Sequence, residues 1–202
     1  KRLTTPEDWV QVNKQWDKHC GENYLFWKES ANKGYRDAQA LLGICYELGY
    51  EVNKDYEQAI FWYRKAADQG SLLAQFCLAG MYDGKRKGIV KNTKKQLEWL
   101  TSSAEQGFAP AQSNLGSAFR DGDGVPRDYK KSVSWFKKAA SQRLPIAQTL
   151  LGAMYYAGRG VTQDYEQAIS LPIYPTLTTV EQDQVVNTLI EAIKETKYGR
   201  KK

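Results

Sequence analysis

The chain has 202 residues, 42% of them hydrophobic, 12% aromatic and 26% charged. So much aromatic surface has to be buried or used, which excludes a disordered chain, and no apolar run approaches the roughly 18 residues of a membrane helix. The net charge of +6 lies at the two ends, because residues 3–193 carry 22 basic and 22 acidic groups; the basic face that a nucleic-acid partner needs is therefore not expected.

Residues 1–20 predict a capping helix. Thr5 is placed to cap it, Pro6 fits its first position, and Trp9 and Trp16, seven apart, share a face. The chain starts at Lys1 and shows no signal peptide. The compartment stays open, with the bacterial periplasm favoured over the cytoplasm on the expectation that a signal has been trimmed. The single histidine, His19, stands beside Cys20 and has no ligand-spaced partners, so neither a metal site nor a nucleophile pair is expected. Cys20, Cys45 and Cys77 are odd in number and have no CxxC spacing. Cys45 and Cys77 fall in helical apolar patterns, as buried thiols do.

From residue 22 the chain repeats itself. A half unit, 22–34, is followed by units at 37–70, 73–107, 110–143 and 146–170. The dipeptide Ala-Gln recurs at Ala38, Ala74, Ala111 and Ala147, in steps of 36, 37 and 36 residues. Leu-Gly follows at Leu42, Leu115 and Leu151, and Leu78-Ala79 stands in their place in the second unit. Then come Tyr46, Tyr82, Phe119 or Tyr155, a short Gly-rich loop, and Asp55, Asn92, Asp128 or Asp164. Trp62, Trp99 and Trp135 recur, and the units close on Gly70, Gly107 or, exceptionally, Arg143. Ala38, Leu42, Cys45 and Tyr46 share one helical face, and Ile60, Tyr63, Ala66 and Ala67 share another. Each unit is thus a pair of helices. Asp55, Asp128 and Asp164 are placed to cap the second helix, and the closing Gly to end it. A hairpin alone leaves an apolar face uncovered, so the units must stack.

This pattern, A-x-x-x-L-G-x-x-Y-x-x-G-x-G-V-x-x-D-x-x-x-A-x-x-W-x-x-x-A-A-x-x-G, resembles the Sel1-like repeat, a relative of the tetratricopeptide repeat. The third and fourth units match it closely, and the second is looser, with GKRKGI in its loop and one extra residue. The resemblance implies an all-α, right-handed α/α superhelix, or solenoid, of helical hairpins that acts as a partner-binding scaffold. It also implies that the first helices line the concave side. Positions there that escape the repeat pattern are the candidate partner-binding residues: Ile44, Glu47, Phe76, Asp83, Ser117, Arg120, Asp121, Thr149 and Tyr156. An Arg or an aromatic in a groove has the chemistry of an interface anchor.

Pro172 and Pro175 should stop the last repeat helix near Ser170. The segment 171–202 predicts a second capping helix at 178–197, opened by Thr178 and Glu181, and a basic tail. Residues 171–190 are also similar, over a short span, to the C-terminal tail of PLP-dependent sugar aminotransferases. The cofactor lysine and phosphate cup of those enzymes have no counterpart here, so no enzymatic role carries over. A gene fusion, a frame change or chance would each account for such a likeness.

Other chemistry is read as absent. Asp121–Asp128 begins like a calcium loop but has Ser132 where the bidentate Glu belongs. The Gly-x-Gly loops follow helices, not strands, and are not nucleotide fingerprints. The lysine pairs at 94–95, 130–131 and 137–138 read as a solvated outer face. No catalytic residue, metal or cofactor is expected. The function expected is that of an adaptor binding a protein or peptide, an immunity or regulatory protein of bacteria being one form. The alternative is an accessory scaffold of envelope polysaccharide assembly. The oligomeric state is left open.

Overall fold

The computed structural model describes residues 23–170. The expected helices at 1–20 and 178–197, the His19-Cys20 pair, the basic tail and the aminotransferase-like tail segment lie outside the described residues. All regular structure among the described residues is helical. Helix α1 covers 23–32. It is followed by α2 (Arg36–Leu48), α3 (Tyr56–Asp68), α4 (Leu72–Met81), α5 (Thr93–Glu105), α6 (Ala109–Asp121), α7 (Tyr129–Ser141), α8 (Pro145–Ala157) and α9 (Tyr165–Ser170).

The second helices start where the sequence places a capping side chain. Asp55 accepts hydrogen bonds from the backbone N–H groups of Glu57 and Gln58 at 2.9 and 3.0 Å. Asn92, Asp128 and Asp164 accept from Lys95, Lys131 and Gln167 at 3.0, 3.0 and 2.9 Å. Each cap satisfies one orphan donor, Asp55 two, and is worth about 1 kcal/mol. The cap residue also closes the loop behind it. The N–H groups of Asp55, Asn92, Asp128 and Asp164 donate to the carbonyls of Tyr46, Tyr82, Phe119 and Tyr155 at 2.9, 3.0, 2.8 and 3.1 Å. One aromatic and one cap thus fix the turn in all four units.

The chain forms two compact units that divide within α6, between Ala111 and Gln112. In the first, α1 contributes Tyr24, Trp27 and Ala31 to a core with Ala38, Leu42 and Cys45 of α2 and Trp62 of α3. A second cluster joins Ala59, Tyr63, Ala66 and Ala67 of α3 to Ala74, Leu78 and Met81 of α4. The alanines let helix axes approach and the rings fill the remaining space; each fully buried large side chain contributes roughly 1.5–3 kcal/mol. In the second unit, Val133, Phe136, Ala139 and Ala140 of α7 pack on Ala147, Leu151 and Met154 of α8. The ring of Phe136 lies over Gly116 of α6, where an added Cβ would come within 2.7 Å of it.

Candidate functional site

Two of the expected partner-binding residues in the first unit form an ion cluster around a residue that the sequence reading passed over. Arg86, in the loop between α4 and α5, donates to Glu47 at 2.8 Å and to Asp83 at 3.1 Å. It also donates to the Gly80 carbonyl at 2.6 Å. The second oxygen of Glu47 accepts from the Tyr63 hydroxyl at 2.7 Å. Only 24% of the Arg86 side chain is exposed. Burial opposes its charge, but the bond to Glu47 and the charges of Glu47 and Asp83 outweigh that and raise its pKa.

Cys77 stands in the same pocket. Burial, and then the Glu47 charge, push its thiol up to about 12, so it is not a nucleophile at neutral pH. Burial also raises the Tyr63 phenol, with Cys77 and Glu47 adding to it. Of the two thiols expected to be buried, Cys45 is buried in the core and Cys77 is half-buried. Of the other two expected residues in this unit, Ile44 is half-buried against the core. Phe76 meets the edge of Phe108 at 5.4 Å.

In the second unit, Arg120 and Asp121 pair with each other through two bonds of 2.8 Å. The hydrogen bond from Arg120 holds the Asp121 carboxyl below its usual range. Thr149 donates to the Pro145 carbonyl at 3.2 Å, so its hydroxyl is engaged within its own helix. Ser117 is half-buried. Tyr156 is 62% exposed and touches Tyr165 edge-on at 5.4 Å. The carboxylates of the calcium-like loop serve the fold: Asp121 pairs with Arg120, and Asp128 caps α7. No group of three metal-ligating side chains occurs among the described residues, and none of their helices is long and apolar enough to cross a membrane.

The repeated caps, loop closures and hairpins coincide with the matches of one family model. The Sel1 repeat model matches at 36–71, 72–108, 109–144 and 145–171. The chain belongs to the Sel1 repeat family. It is 38% identical over 104 residues to chitin synthase regulatory factor 3 of Schizosaccharomyces pombe, covering 50% of this chain and 11% of that protein. The crystal structure of a Sel1 repeat protein from Oxalobacter formigenes superposes with a TM-score of 0.71 at 32% identity, over 82% of this chain and 48% of that one. Immunity protein Pa5087 of Pseudomonas aeruginosa shares the fold at 22% identity and a TM-score of 0.51, over 72% of this chain and 53% of that one. The chain thus spans about a tenth of the curated relative and less than half of the Oxalobacter protein. The all-α solenoid class read from the sequence is the class of these structures. Sel1 repeat folds typically serve as non-enzymatic scaffolds for protein–protein interaction.

The Sel1 pattern also holds a polar device that its spacing did not explain. The recurrent Gln after Ala is buried at Gln39, Gln75 and Gln112. Each accepts from a Gln at the end of the same repeat: from Gln69 at 2.7 Å, Gln106 at 3.0 Å and Gln142 at 2.9 Å. Gln39 and Gln75 then donate backwards, to the Ala31 carbonyl at 3.2 Å and the Ala67 carbonyl at 3.4 Å. One side chain thus ties the two helices of its own repeat together and joins that repeat to the one before. The signal was present in the recurrence of Gln at both places. The lysine pairs are exposed as expected, but several also cover rings: Lys95 lies over Tyr82 at 5.3 Å, Lys131 over Phe119 at 5.4 Å and Lys138 over Trp135 at 4.0 Å.

Proposed function

We propose that this Sel1 repeat chain is a non-enzymatic adaptor that holds a protein or peptide against the first helices of its repeats. Such a protein regulates its partner by occluding a surface, and an immunity protein is one case of this. The observation that carries the reading is a single position, nine residues after the Ala of Ala-Gln. It holds Glu47, Asp83, Arg120 and Tyr156 in a frame that is otherwise repeated. Packing that repeats asks for the same residue each time, and this position varies from acid to base to aromatic; Glu47 and Asp83 are taken up by Arg86, so Arg120 and the exposed Tyr156 are the residues it offers to a partner. The regulatory sense is supported by the name of the Schizosaccharomyces relative, which describes regulation of an enzyme.

The test is capture from native extract by the immobilised chain, with mass spectrometry of what is retained. Arg120→Glu and Tyr156→Ala should both lose the captured protein while circular dichroism and melting stay as in the wild type. Arg120 breaks only a surface pair, worth at most about 1 kcal/mol, so the fold should survive. If both variants capture the protein at full affinity, the first-helix surface is not the docking face.

A further inference from the structure

The loop between α4 and α5 differs from its counterparts in length and in charge. The bond that closes it runs from Asn92 to Tyr82, ten residues back, where the other three span nine. From Gly84 to Leu97, the loop together with the first turn of α5, the chain has six cations and no acid. The matching stretches carry Glu51, Asp55 and Glu57, or Asp121, Asp123 and Asp128, or Asp164 and Glu166. Yet the loop is not loose. Its one arginine is turned inward onto Glu47, Asp83 and the Gly80 carbonyl, which pins the middle of the loop to α2 and α4. Of the lysines flanking it, Lys85 reaches back to Asp83 at 3.7 Å, whereas Lys87, Lys91 and Lys94 are exposed, and Val90 beside them is 84% exposed.

We propose that this pinned cationic loop docks an acidic segment of the protein partner, and that Arg86 acts as a positioning residue that never touches it. The proposal rests on the adaptor reading and adds the chemistry of what is bound. Preordering matters here, because fixing several lysines on a free loop would cost conformational entropy at the moment of binding. Other anionic surfaces fit less well. A membrane needs an apolar face beside the charge, and this loop offers only Val90 and the half-buried Ile89. Nucleic acid is gripped by guanidinium forks and stacking rings; the one guanidinium here is consumed internally, and Lys95 covers the Tyr82 ring. Lysines are point charges that suit carboxylates in varied orientations.

The test uses the full chain and an oligoglutamate peptide followed by fluorescence anisotropy, with oligoglutamine as its neutral counterpart. Binding to oligoglutamate alone, weakening as salt is raised, is the expected result. The double reversal Lys87→Glu/Lys94→Glu should weaken it roughly tenfold or more. Lys130→Glu/Lys131→Glu, in the second unit, should leave it unchanged. Arg86→Ala should weaken it by a smaller factor; should that variant fail to fold, the two surface reversals still decide. Equal losses from both reversals, or tighter binding to phosphatidylserine vesicles or to single-stranded DNA than to oligoglutamate, would overturn the proposal. The two readings fail separately. If extract yields a partner that Lys87→Glu/Lys94→Glu captures undiminished, the acidic-segment proposal falls and the adaptor stands. If extract yields nothing while oligoglutamate binds through this loop, the adaptor reading falls and only the loop's affinity for acidic chains stands.

Discussion

Tyr63 lies so close over Gly43 that a Cβ on that glycine would stand 2.5 Å from the ring carbon Cδ1. The glycine exists for the ring, and the second repeat supports this reading: it has Ala79 in place of the glycine and Leu100 in place of the ring. Gly43→Ala should therefore destabilise. Overpacking costs about 1–3 kcal/mol and better helix propensity returns up to about 1 kcal/mol, so a net loss near 1–2 kcal/mol is expected. In a Tyr63→Leu background the same change should cost much less. Denaturant unfolding of the four proteins in this cycle measures the coupling. An equal cost in both backgrounds would show that the ring does not set the identity of the glycine.

The glutamine pairs predict a different kind of loss. Gln69→Ala leaves the buried Gln39 carbonyl oxygen without its 2.7 Å donor. An unmet buried polar group costs about 1–3 kcal/mol. Gln106→Ala and Gln142→Ala should behave alike, because Gln75 and Gln112 stand in the same relation to them. Three similar losses in thermal melts would show a device used once per repeat. A loss of under half a kcal/mol at all three sites would mean that water replaces the donor at no cost.

These two devices show what the sequence makes legible. Period, caps and helix faces come from local chemistry: Asp55 caps because its carboxylate reaches N–H groups two and three residues on, and spacing alone reveals that. The Gln39–Gln69 bond joins residues thirty apart, so the recurrence was visible but its reason was not. The candidate binding residues were harder still. Glu47 and Asp83 read as free acids because the cation that binds them, Arg86, lies in the one loop that breaks the repeat length. Where every unit is alike, one unit predicts the next; an inserted residue leaves that logic and needs coordinates.

The pocket around Glu47 should make the fold sensitive to alkali. Burial and the Glu47 charge push the folded Cys77 thiol up to about 12, whereas an unfolded thiol ionises near about 8.5. Between those values the unfolded chain releases a proton that the folded chain keeps. The stabilising difference is whole below the unfolded pKa and is lost as pH rises, by at most about 1.4 kcal/mol per pH unit. The raised Tyr63 phenol acts in the same direction at higher pH. Urea unfolding from pH 7 to 11 should show falling stability, with a shallower fall in Cys77→Ala and Tyr63→Phe. If both variants fall as steeply as the wild type, these groups are not buried as protonated acids.

Arg143 closes the third repeat with a backbone φ of +62°, where Gly34, Gly70 and Gly107 close the others at +94°, +81° and +99°. The hydrogen-bonded turn is the same: Arg143 donates to Ala140 at 2.9 Å, as Gly70 donates to Ala67 at 2.8 Å. A side chain held in the left-handed region costs about 1–2 kcal/mol. Glycine removes that strain but gives the unfolded chain more freedom, worth about 0.4–1 kcal/mol. Arg143→Gly should therefore stabilise by roughly 0.5–1 kcal/mol, a rise of a few degrees in the melting temperature of the unfolding step that includes this repeat. Arg143→Ala separates the causes, since it removes the charge and the long side chain but keeps the Cβ that makes the conformation costly. It should be neutral or destabilising. If alanine stabilises as much as glycine does, the gain comes from losing the arginine's charge and the backbone is not strained at this turn.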